Sequence, residues 1–147
     1  MTGIAATARA MLDRAAADDR QEFGSFFLLR LLGMAVSYED EACIVGFDAV
    51  PPLFNPQGTL HGGVLATAMD ISMGHLLNHA AGPAATLEIK VQYMAPVTAG
   101  PVRCRATFLR RGRSLSFLQS HATRADGTLA AHATATWRLL PAKAPTA

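Results

Sequence analysis

A long apolar segment without proline, from Gly62 to His79, most constrains how this chain can fold. Its hydrophobic residues are too continuous for a helix with one face in solvent, and they suit a helix buried nearly all round. A buried helix rarely carries a charge in its middle, because burying an unpaired carboxylate is costly. Asp70 lies in the middle of this segment. We therefore take Asp70 as the first candidate for a functional residue.

Two glycines mark the start of the same helix, after a loop that contains Asn55, Pro56 and Gly58. A helix start leaves several backbone N–H groups unpaired, and the helix dipole makes that end partly positive. Glycine lets a ligand approach such a backbone without meeting a Cβ. Gly62 and Gly63 are therefore candidates for an oxyanion pocket, and Asp70 is a candidate base or nucleophile.

The spacing of these groups sets a condition on any shared chemistry. Gly62 and Asp70 are eight residues apart, which is roughly 12 Å along a helix. One carbonyl carbon cannot lie beside both groups of one chain. Either the two groups do unrelated things, or the acting Asp70 comes from a second copy of the chain. We favour the second interpretation, which predicts an obligate dimer.

The elements around this helix predict an α+β domain with an antiparallel sheet wrapped around one long central helix. The N-terminal residues read as an amphipathic helix and a second short helix or turn, serving as a packing element or as a lid. Residues 35–49 read as a hairpin or as one long bent strand before the central helix. Four strands follow the helix, and the first of them, 86–94, alternates apolar and polar residues. Gly82 and Pro83 end that helix. The predicted helices cover residues 3–18, 23–31 and 62–79, and the predicted strands cover 35–40, 42–49, 86–94, 102–110, 114–124 and 129–139.

His61-Gly62-Gly63, with Asn55 before it and Asp70 after it, resembles the motif of the hot-dog-fold acyl-CoA thioesterases, and most of all their PaaI-like (phenylacetate-pathway) branch. The resemblance covers roughly residues 23–140 and includes Leu32-Gly33-Met34 and Tyr93-Met94-Ala95-Pro96. It implies a hot-dog fold with an N-terminal helical extension. The domain limits that we predict are 1–32 for the extension, 33–140 for the thioesterase domain and 141–147 for a flexible tail.

The resemblance also implies roles for five residues. The carboxylate matching Asp70 attacks the thioester carbonyl or activates water, and the N–H matching Gly62 polarises that carbonyl. His61 and Asn55 match positions that line the site, and Thr86 falls where a Ser or Thr positions water. Each residue also has a purely structural interpretation: backbone capping for Asp70 and His61, close packing for Gly62, an Asx-turn for Asn55, and an ordinary strand position for Thr86.

An arginine-containing turn and a pair of histidines are two further candidate ligand sites. The turn Arg111-Gly112-Arg113 could hold a CoA phosphate, since arginine suits phosphate geometry, or it could be basic for solubility alone. It belongs to a basic C-terminal third, 101–147, with eight basic residues and one acidic residue. His75 and His79 have metal-ligand spacing, but they lack the glutamate of a His-Glu-x-x-His motif and an evident third ligand, so we predict no metal site.

The composition limits which classes of protein and which binding partners remain possible. A chain of 147 residues that is 50% hydrophobic and 16% charged fits one folded domain. Its net charge of +2 argues against general nucleic-acid binding. Cys43 and Cys104 are too few for a disulfide framework, and no apolar segment reaches the length of a membrane span. We expect a cytoplasmic protein without membrane or nucleic-acid partners.

The sequence therefore predicts an acyl-CoA thioesterase that needs no cofactor, because CoA is part of its substrate. Its Asp70 would act on a carbonyl held by Gly62 of a partner chain, in a dimer and in a dimer of dimers. Two alternatives stay open: a hot-dog hydratase or dehydratase, whose characteristic His-Phe-Pro-Gly run is absent here, and a non-catalytic acyl-CoA-binding module. The acyl group itself cannot be read from the sequence.

Overall fold

The computed structural model describes residues 3–142 and shows one antiparallel sheet packed on a long helix. The order of the elements confirms the predicted α+β fold. The helices are α1 (Ile4–Ala16), α2 (Phe27–Leu31) and α3 (Gly62–Ala81). The strands are β1 (Ala35–Glu39), β2 (Ala42–Ala49), β3 (Ala84–Tyr93), β4 (Gly100–Arg110), β5 (Leu115–Arg124) and β6 (Leu129–Leu139).

The six strands form a sheet in the order β1-β2-β4-β5-β6-β3, and all neighbouring pairs are antiparallel. Hairpins join β1 to β2, β4 to β5 and β5 to β6. Strand β3 follows α3 directly and returns along the end of the sheet, beside β6. This topology leaves β3 as an edge strand, with no second strand partner among residues 3–142.

Helix α3 lies across the sheet and forms the centre of the hydrophobic core. From Ile71 to Leu77 every residue of α3 is buried, and the helix packs against β2, β3, β4, β5 and β6. Met69, Met73 and Leu77 are fully buried. The first two turns of α3 are less covered, so the helix is apolar all round where the sheet wraps it and partly open near its start.

The N-terminal helices share this core. Met11 and Ala15 of α1 and Leu29 of α2 are buried, and Met11 and Leu29 belong to the same hydrophobic cluster as α3. The domain limits at 32/33 and 140/141 stay predictions, and residues 143–147 of the expected flexible tail lie outside the described part of the chain.

Two local details differ from the sequence-based expectation. Pro51 to Leu53 form a short 3-10 turn, which is not among the predicted elements, because a proline with its fixed φ fits the first position of such a turn. Strand β3 has a bulge between Thr86 and Glu88. Leu87 lies in that bulge and is half exposed, and Tyr93 is exposed as well, so only Ile89 and Val91 of the alternating apolar residues pack partly against the core.

Candidate active site

His61 caps the start of α3. Its backbone is extended, and its Nδ1 atom accepts a hydrogen bond of 2.9 Å from the Gly63 N–H. Such a cap satisfies one of the amide groups that a helix start leaves unpaired. Of the two amides expected to form an oxyanion pocket, the Gly63 amide is therefore already occupied.

The Gly62 amide has no hydrogen-bond partner among residues 3–142, and it lies at the positive end of the α3 dipole. The neighbouring Tyr93, on β3, donates a hydrogen bond of 2.7 Å to the Gly62 carbonyl oxygen. A Cβ on Gly62 would lie 3.1 Å from the Tyr93 ring. Glycine thus lets Tyr93 approach the backbone, while the free N–H remains available to a ligand.

Asn55 organises the loop that precedes the helix. Its Oδ1 atom accepts hydrogen bonds from the Gln57 and Thr59 N–H groups, and its Nδ2 atom donates to Thr59 Oγ1. This is an Asx-turn, which orders a loop through the side chain of its first residue. Asn55 also lines a cavity that contains Gly62 and Tyr93, and its role in the site stays a prediction.

Asp70 is half-buried on α3 and is paired with Thr86. Thr86 Oγ1 donates a hydrogen bond of 2.9 Å to Asp70 Oδ1. Burial raises the pKa of Asp70 above its ordinary value, and the Thr86 hydrogen bond partly opposes that rise. No basic side chain contributes to this balance. Thr86 therefore holds the carboxyl group in place, and no basic side chain is paired with it.

Asp70 opens into a cavity of about 370 Å³. Its walls come from α3, the edge of the sheet, and the segment between α1 and α2. The lining is mostly apolar and includes two phenylalanines and the single tryptophan of the chain. The lining residues are Gln21, Glu22, Phe23, Phe26, Asp70, Ile71, Gly74, His75, Ala84 and Trp137. An apolar cavity beside a carboxylate can accept an acyl group while its carbonyl remains near Asp70.

Gly62 and Asp70 belong to different cavities. The Gly62 cavity also measures about 370 Å³, and no residue lines both cavities. Because α3 is uninterrupted from Gly62 to Ala81, the roughly 12 Å between the two positions along the helix is retained. The structure therefore brings Asp70 to Thr86, and His61, Gly62 and Asn55 to Tyr93, but it does not bring the two groups together within one chain.

The turn Arg111-Gly112-Arg113 lies at the other end of α3. The Arg111 guanidinium donates to the carbonyl oxygen of Ala80 at 3.3 Å and packs 5.0 Å from the centre of the Phe108 ring. A Cβ on Gly112 would lie 2.1 Å from the Leu115 carbonyl oxygen, so this tight turn requires glycine. The Arg113 side chain is exposed. Within one chain this turn is separated from Gly62 by nearly the whole helix.

The other basic residues of the C-terminal third do not form one patch. Arg103 donates two hydrogen bonds of 2.8 Å to Glu39, and Arg124 pairs with Asp126 at 2.7 Å. Lys143 lies outside the described residues. The excess positive charge of this region is thus spread along strands and partly paired, rather than gathered at a single anion site.

His75 is engaged through both ring nitrogens. Its Nδ1 atom bonds the Ile71 carbonyl oxygen at 2.9 Å, and its Nε2 atom accepts from the Gly24 N–H at 3.0 Å. Burial lowers the pKa of His75, which favours its neutral form. His79 instead stacks on Tyr38. Residues 3–142 contain no cluster of three potential metal ligands.

Both cysteines are buried and free, and burial raises the pKa of each thiol to about 12. They are therefore unreactive thiols rather than nucleophiles.

Among residues 3–142, no helix has the length and apolar character needed to cross a membrane.

Comparisons with known proteins decide the family. The sequence profile of the Thioesterase superfamily matches residues 57–131, about half of the chain, and this match includes Gly62, Asp70 and Thr86. The chain belongs to the Thioesterase superfamily. The hot-dog resemblance seen in the sequence is thereby confirmed.

The chain is also similar to individual proteins and solved structures. A candidate esterase of Saccharolobus solfataricus is 33% identical over 88 residues, which span 58% of this chain and 63% of that relative's length. A conserved protein of Pseudomonas aeruginosa is 30% identical, with a TM-score of 0.72 over 77% of this chain and 93% of its own. A Bacillus halodurans protein, solved with CoA, has a TM-score of 0.81 at 22% identity, over 92% and 91% of the two chains.

Two residues of this thioesterase-superfamily site were missed as site residues from the sequence. Tyr93 was noted only as part of the motif Tyr93-Met94-Ala95-Pro96, although it holds the start of α3. No motif in the sequence around Trp137 marks it as a site residue. It lines the Asp70 cavity because a Cβ on Gly74 would lie 2.5 Å from its ring, and only glycine there admits the indole. The buried Trp137 N–H has no hydrogen-bond partner among residues 3–142.

Proposed function

We propose that the protein is an acyl-CoA thioesterase of the PaaI-like branch, which hydrolyses an acyl- or aryl-CoA to the free acid and CoA. The observation that carries the proposal is Asp70: a half-buried carboxylate, held by Thr86, that opens into an apolar cavity. The CoA bound to the Bacillus halodurans protein supports a CoA ester as the substrate. The chemistry needs a carboxylate, an N–H donor and water, so the proposal includes no cofactor.

The proposed reaction uses two groups of this chain. The Gly62 N–H would donate to the thioester carbonyl oxygen and stabilise the charge that develops there. The Asp70 carboxylate would either attack the carbonyl carbon or take a proton from an attacking water. The carbon–sulfur bond then breaks, and CoA leaves as the thiolate, which is protonated by water. If Asp70 is the nucleophile, a water molecule afterwards hydrolyses the resulting anhydride.

The proposed active site is shared between two chains, and the edge strand β3 provides the means. On one chain Thr86, near the start of β3, contacts Asp70, and Tyr93, at its end, contacts Gly62. If two copies of β3 pair antiparallel about a two-fold axis near Ile89, the Thr86 end of one strand meets the Tyr93 end of the other. This pairing would bring Asp70 of one protomer close to Gly62 of its partner.

Such pairing extends the sheet through backbone hydrogen bonds and covers its open edge.

We also propose that two such dimers associate into a dimer of dimers. A cytoplasmic location rests on the two free cysteines, which are typical of a reducing compartment.

The primary test is a thiol-release assay with a panel of acyl-CoA and aryl-CoA substrates. Release of CoA supports a thioesterase. Binding of acyl-CoA without thiol release would support the binding module, and consumption of an enoyl-CoA by hydration would support the hydratase. Free acid must appear in equal amount to thiol, since this balance separates hydrolysis from transfer to another acceptor.

The Thr86 hydrogen bond predicts a shift in pH dependence. Thr86→Val removes a donor that stabilises the ionised Asp70, so the pKa of Asp70 should rise further. Because the reaction needs the ionised carboxylate, we expect the acidic limb of the kcat–pH profile to move to higher pH. Thr86→Ser keeps the hydroxyl and should retain the wild-type limb. Superimposable profiles for Thr86→Val and the wild type would show that Thr86 does not act on Asp70.

The arginine turn predicts a substrate-dependent change in KM. Arg113→Ala should raise KM for full acyl-CoA more than for a thioester that lacks the nucleotide, because only the former carries the phosphates. Added salt should weaken binding of the full substrate as well. Arg111→Ala tests the other arginine of the turn. Because Arg111 also contacts Ala80 and Phe108, its replacement removes structural contacts as well as charge. Equal effects of Arg113→Ala on both substrates would place the phosphates elsewhere.

A further inference from the structure

The segment between α1 and α2 forms a small closed turn against the Asp70 cavity. The Glu22 and Ser25 backbones exchange two hydrogen bonds, of 3.0 and 2.9 Å, which leaves Phe23 and Gly24 at the tip. Gly24 has a φ of +83°, and no atom would lie within 4 Å of an added Cβ. Glycine is therefore required here by the backbone conformation and not by lack of space. We call residues 22–25 the tip turn.

The base of the tip turn is firmly held. The Arg30 guanidinium donates to the Arg20 carbonyl oxygen at 2.8 Å and to Ser25 Oγ at 3.2 Å. The Gln21 side chain accepts a hydrogen bond of 2.6 Å from the Phe27 N–H. Residues on both sides of the tip are thus tied to Phe27 and Arg30 of α2, so the fold sets the position of the tip.

The tip itself reaches α3 through His75. The Gly24 N–H donates to His75 Nε2 at 3.0 Å, the Phe23 ring meets the imidazole edge-on at 5.1 Å, and Phe26 stacks on it at 6.0 Å. His75 Nδ1 is bonded to the Ile71 carbonyl oxygen, which can only accept. Nδ1 therefore carries the proton, and Nε2 is free to accept from Gly24.

The contacts place the Phe23 ring at one wall of the cavity while more than half of the residue, 54%, stays exposed. Asp70 lines the same cavity. An acyl group whose carbonyl lies at Asp70 would extend along the apolar wall toward this ring. A side chain that is half in solvent can move with little loss of core packing, so Phe23 can act as the end of a pocket without being essential to the fold.

We infer that Phe23, held by the tip turn and His75, limits the length of the acyl group that the site accepts. This inference rests on the proposed thioesterase function, because it identifies the Asp70 cavity as the acyl pocket. Phe23 is then a specificity-determining residue, and His75 is a positioning residue that acts through its hydrogen bond to Gly24 and its ring contact with Phe23. Phe27 lies outside the cavity lining, although it is exposed like Phe23 and only four residues away.

The test is the profile of kcat/KM along a series of straight-chain substrates from acetyl-CoA to palmitoyl-CoA. Phe23→Ala should extend the profile, with a gain of about tenfold or more for the first chain beyond the wild-type limit, as expected for methylene-sized changes in a pocket. Phe23→Trp should shorten the limit. Phe27→Ala is the matched control and should leave the profile unchanged. Profiles that coincide for all three variants would overturn the inference.

His75 is tested by two variants that separate its hydrogen bond from its ring. His75→Phe keeps an aromatic ring and removes the acceptor for Gly24, so the tip should be released and the length limit relaxed. His75→Gln keeps an acceptor and should restore the limit. A fold defect would lower kcat/KM for every chain length alike, and that outcome for both variants would remove His75 from the inference.

Binding without turnover separates this inference from the proposed function. Trp137 is the only tryptophan and lines the cavity, so its fluorescence reports entry of an acyl group. In an Asp70→Asn background, Kd should depend on chain length, and Phe23→Ala should shift that dependence. If the wild type hydrolyses acyl-CoA but Phe23→Ala shifts neither profile, only the inference fails. If no thioester is hydrolysed but the shift in Kd is present, only the proposed function fails.

Discussion

Replacing Asp70 by asparagine is expected to lower kcat by about two or more orders of magnitude, the scale that loss of a general acid–base group produces. The asparagine side chain has nearly the same shape and can still accept the Thr86 hydrogen bond. It cannot act as a base or as a carboxylate nucleophile. The measurement is steady-state thiol release with the best acyl-CoA substrate at saturating concentration.

The same variant should not lose stability at neutral pH. The pKa of Asp70 is raised in the folded chain, so the folded state binds the proton more tightly than the unfolded state does. The ionised carboxylate therefore destabilises the fold above the raised pKa, and the wild type gains stability as the pH falls through that pKa toward the ordinary value of an aspartate. We expect Asp70→Asn to melt at the same temperature as the wild type or higher near neutral pH.

This advantage in Tm should shrink as the pH falls through the raised pKa of Asp70, since both side chains are then neutral. A folded variant with near-normal turnover would show that Asp70 is a structural residue. A variant that melts well below the wild type at neutral pH would show instead that its carboxylate stabilises the fold.

Mixing two inactive chains is expected to restore activity. The first chain carries Asp70→Asn, and the second carries Gly62→Pro, which removes the proposed oxyanion donor. Gly62 is the first residue of α3 and follows His61, whose ψ of 130° is extended. Proline is tolerated at such a position, and so is the extended residue before it. The variant therefore removes the N–H with little cost to the helix.

If the sites are shared, each mixed dimer has one site with both lesions and one with neither. About half of the dimers in an equal mixture are mixed, so about a quarter of the wild-type activity should return, given two equivalent sites in each symmetric dimer. Gly62→Ala is the matched control, because it adds a Cβ near Tyr93 but keeps the N–H. Mixed dimers that form and yet remain inactive would contradict the shared site.

Much of this fold was predictable from the sequence because its strongest signals are local. The apolar run of α3 and the glycine and proline that end it depend on neighbours in the chain. Observed bounds such as Leu129–Leu139 for β6 match the prediction. The spacing of Gly62 and Asp70 was equally readable, since an uninterrupted helix converts a count of residues into a distance.

Only the tertiary structure decided which residues surround these groups. Asp70 meets Thr86, and Gly62 meets Tyr93, because β3 returns antiparallel to α3, and no local pattern sets that return. The assembly of the Asp70 cavity from Phe23, Trp137 and α3 joins parts of the chain that are far apart in sequence. Such neighbours follow from how the sheet curves over the helix, a property of the whole packed core rather than of any one segment.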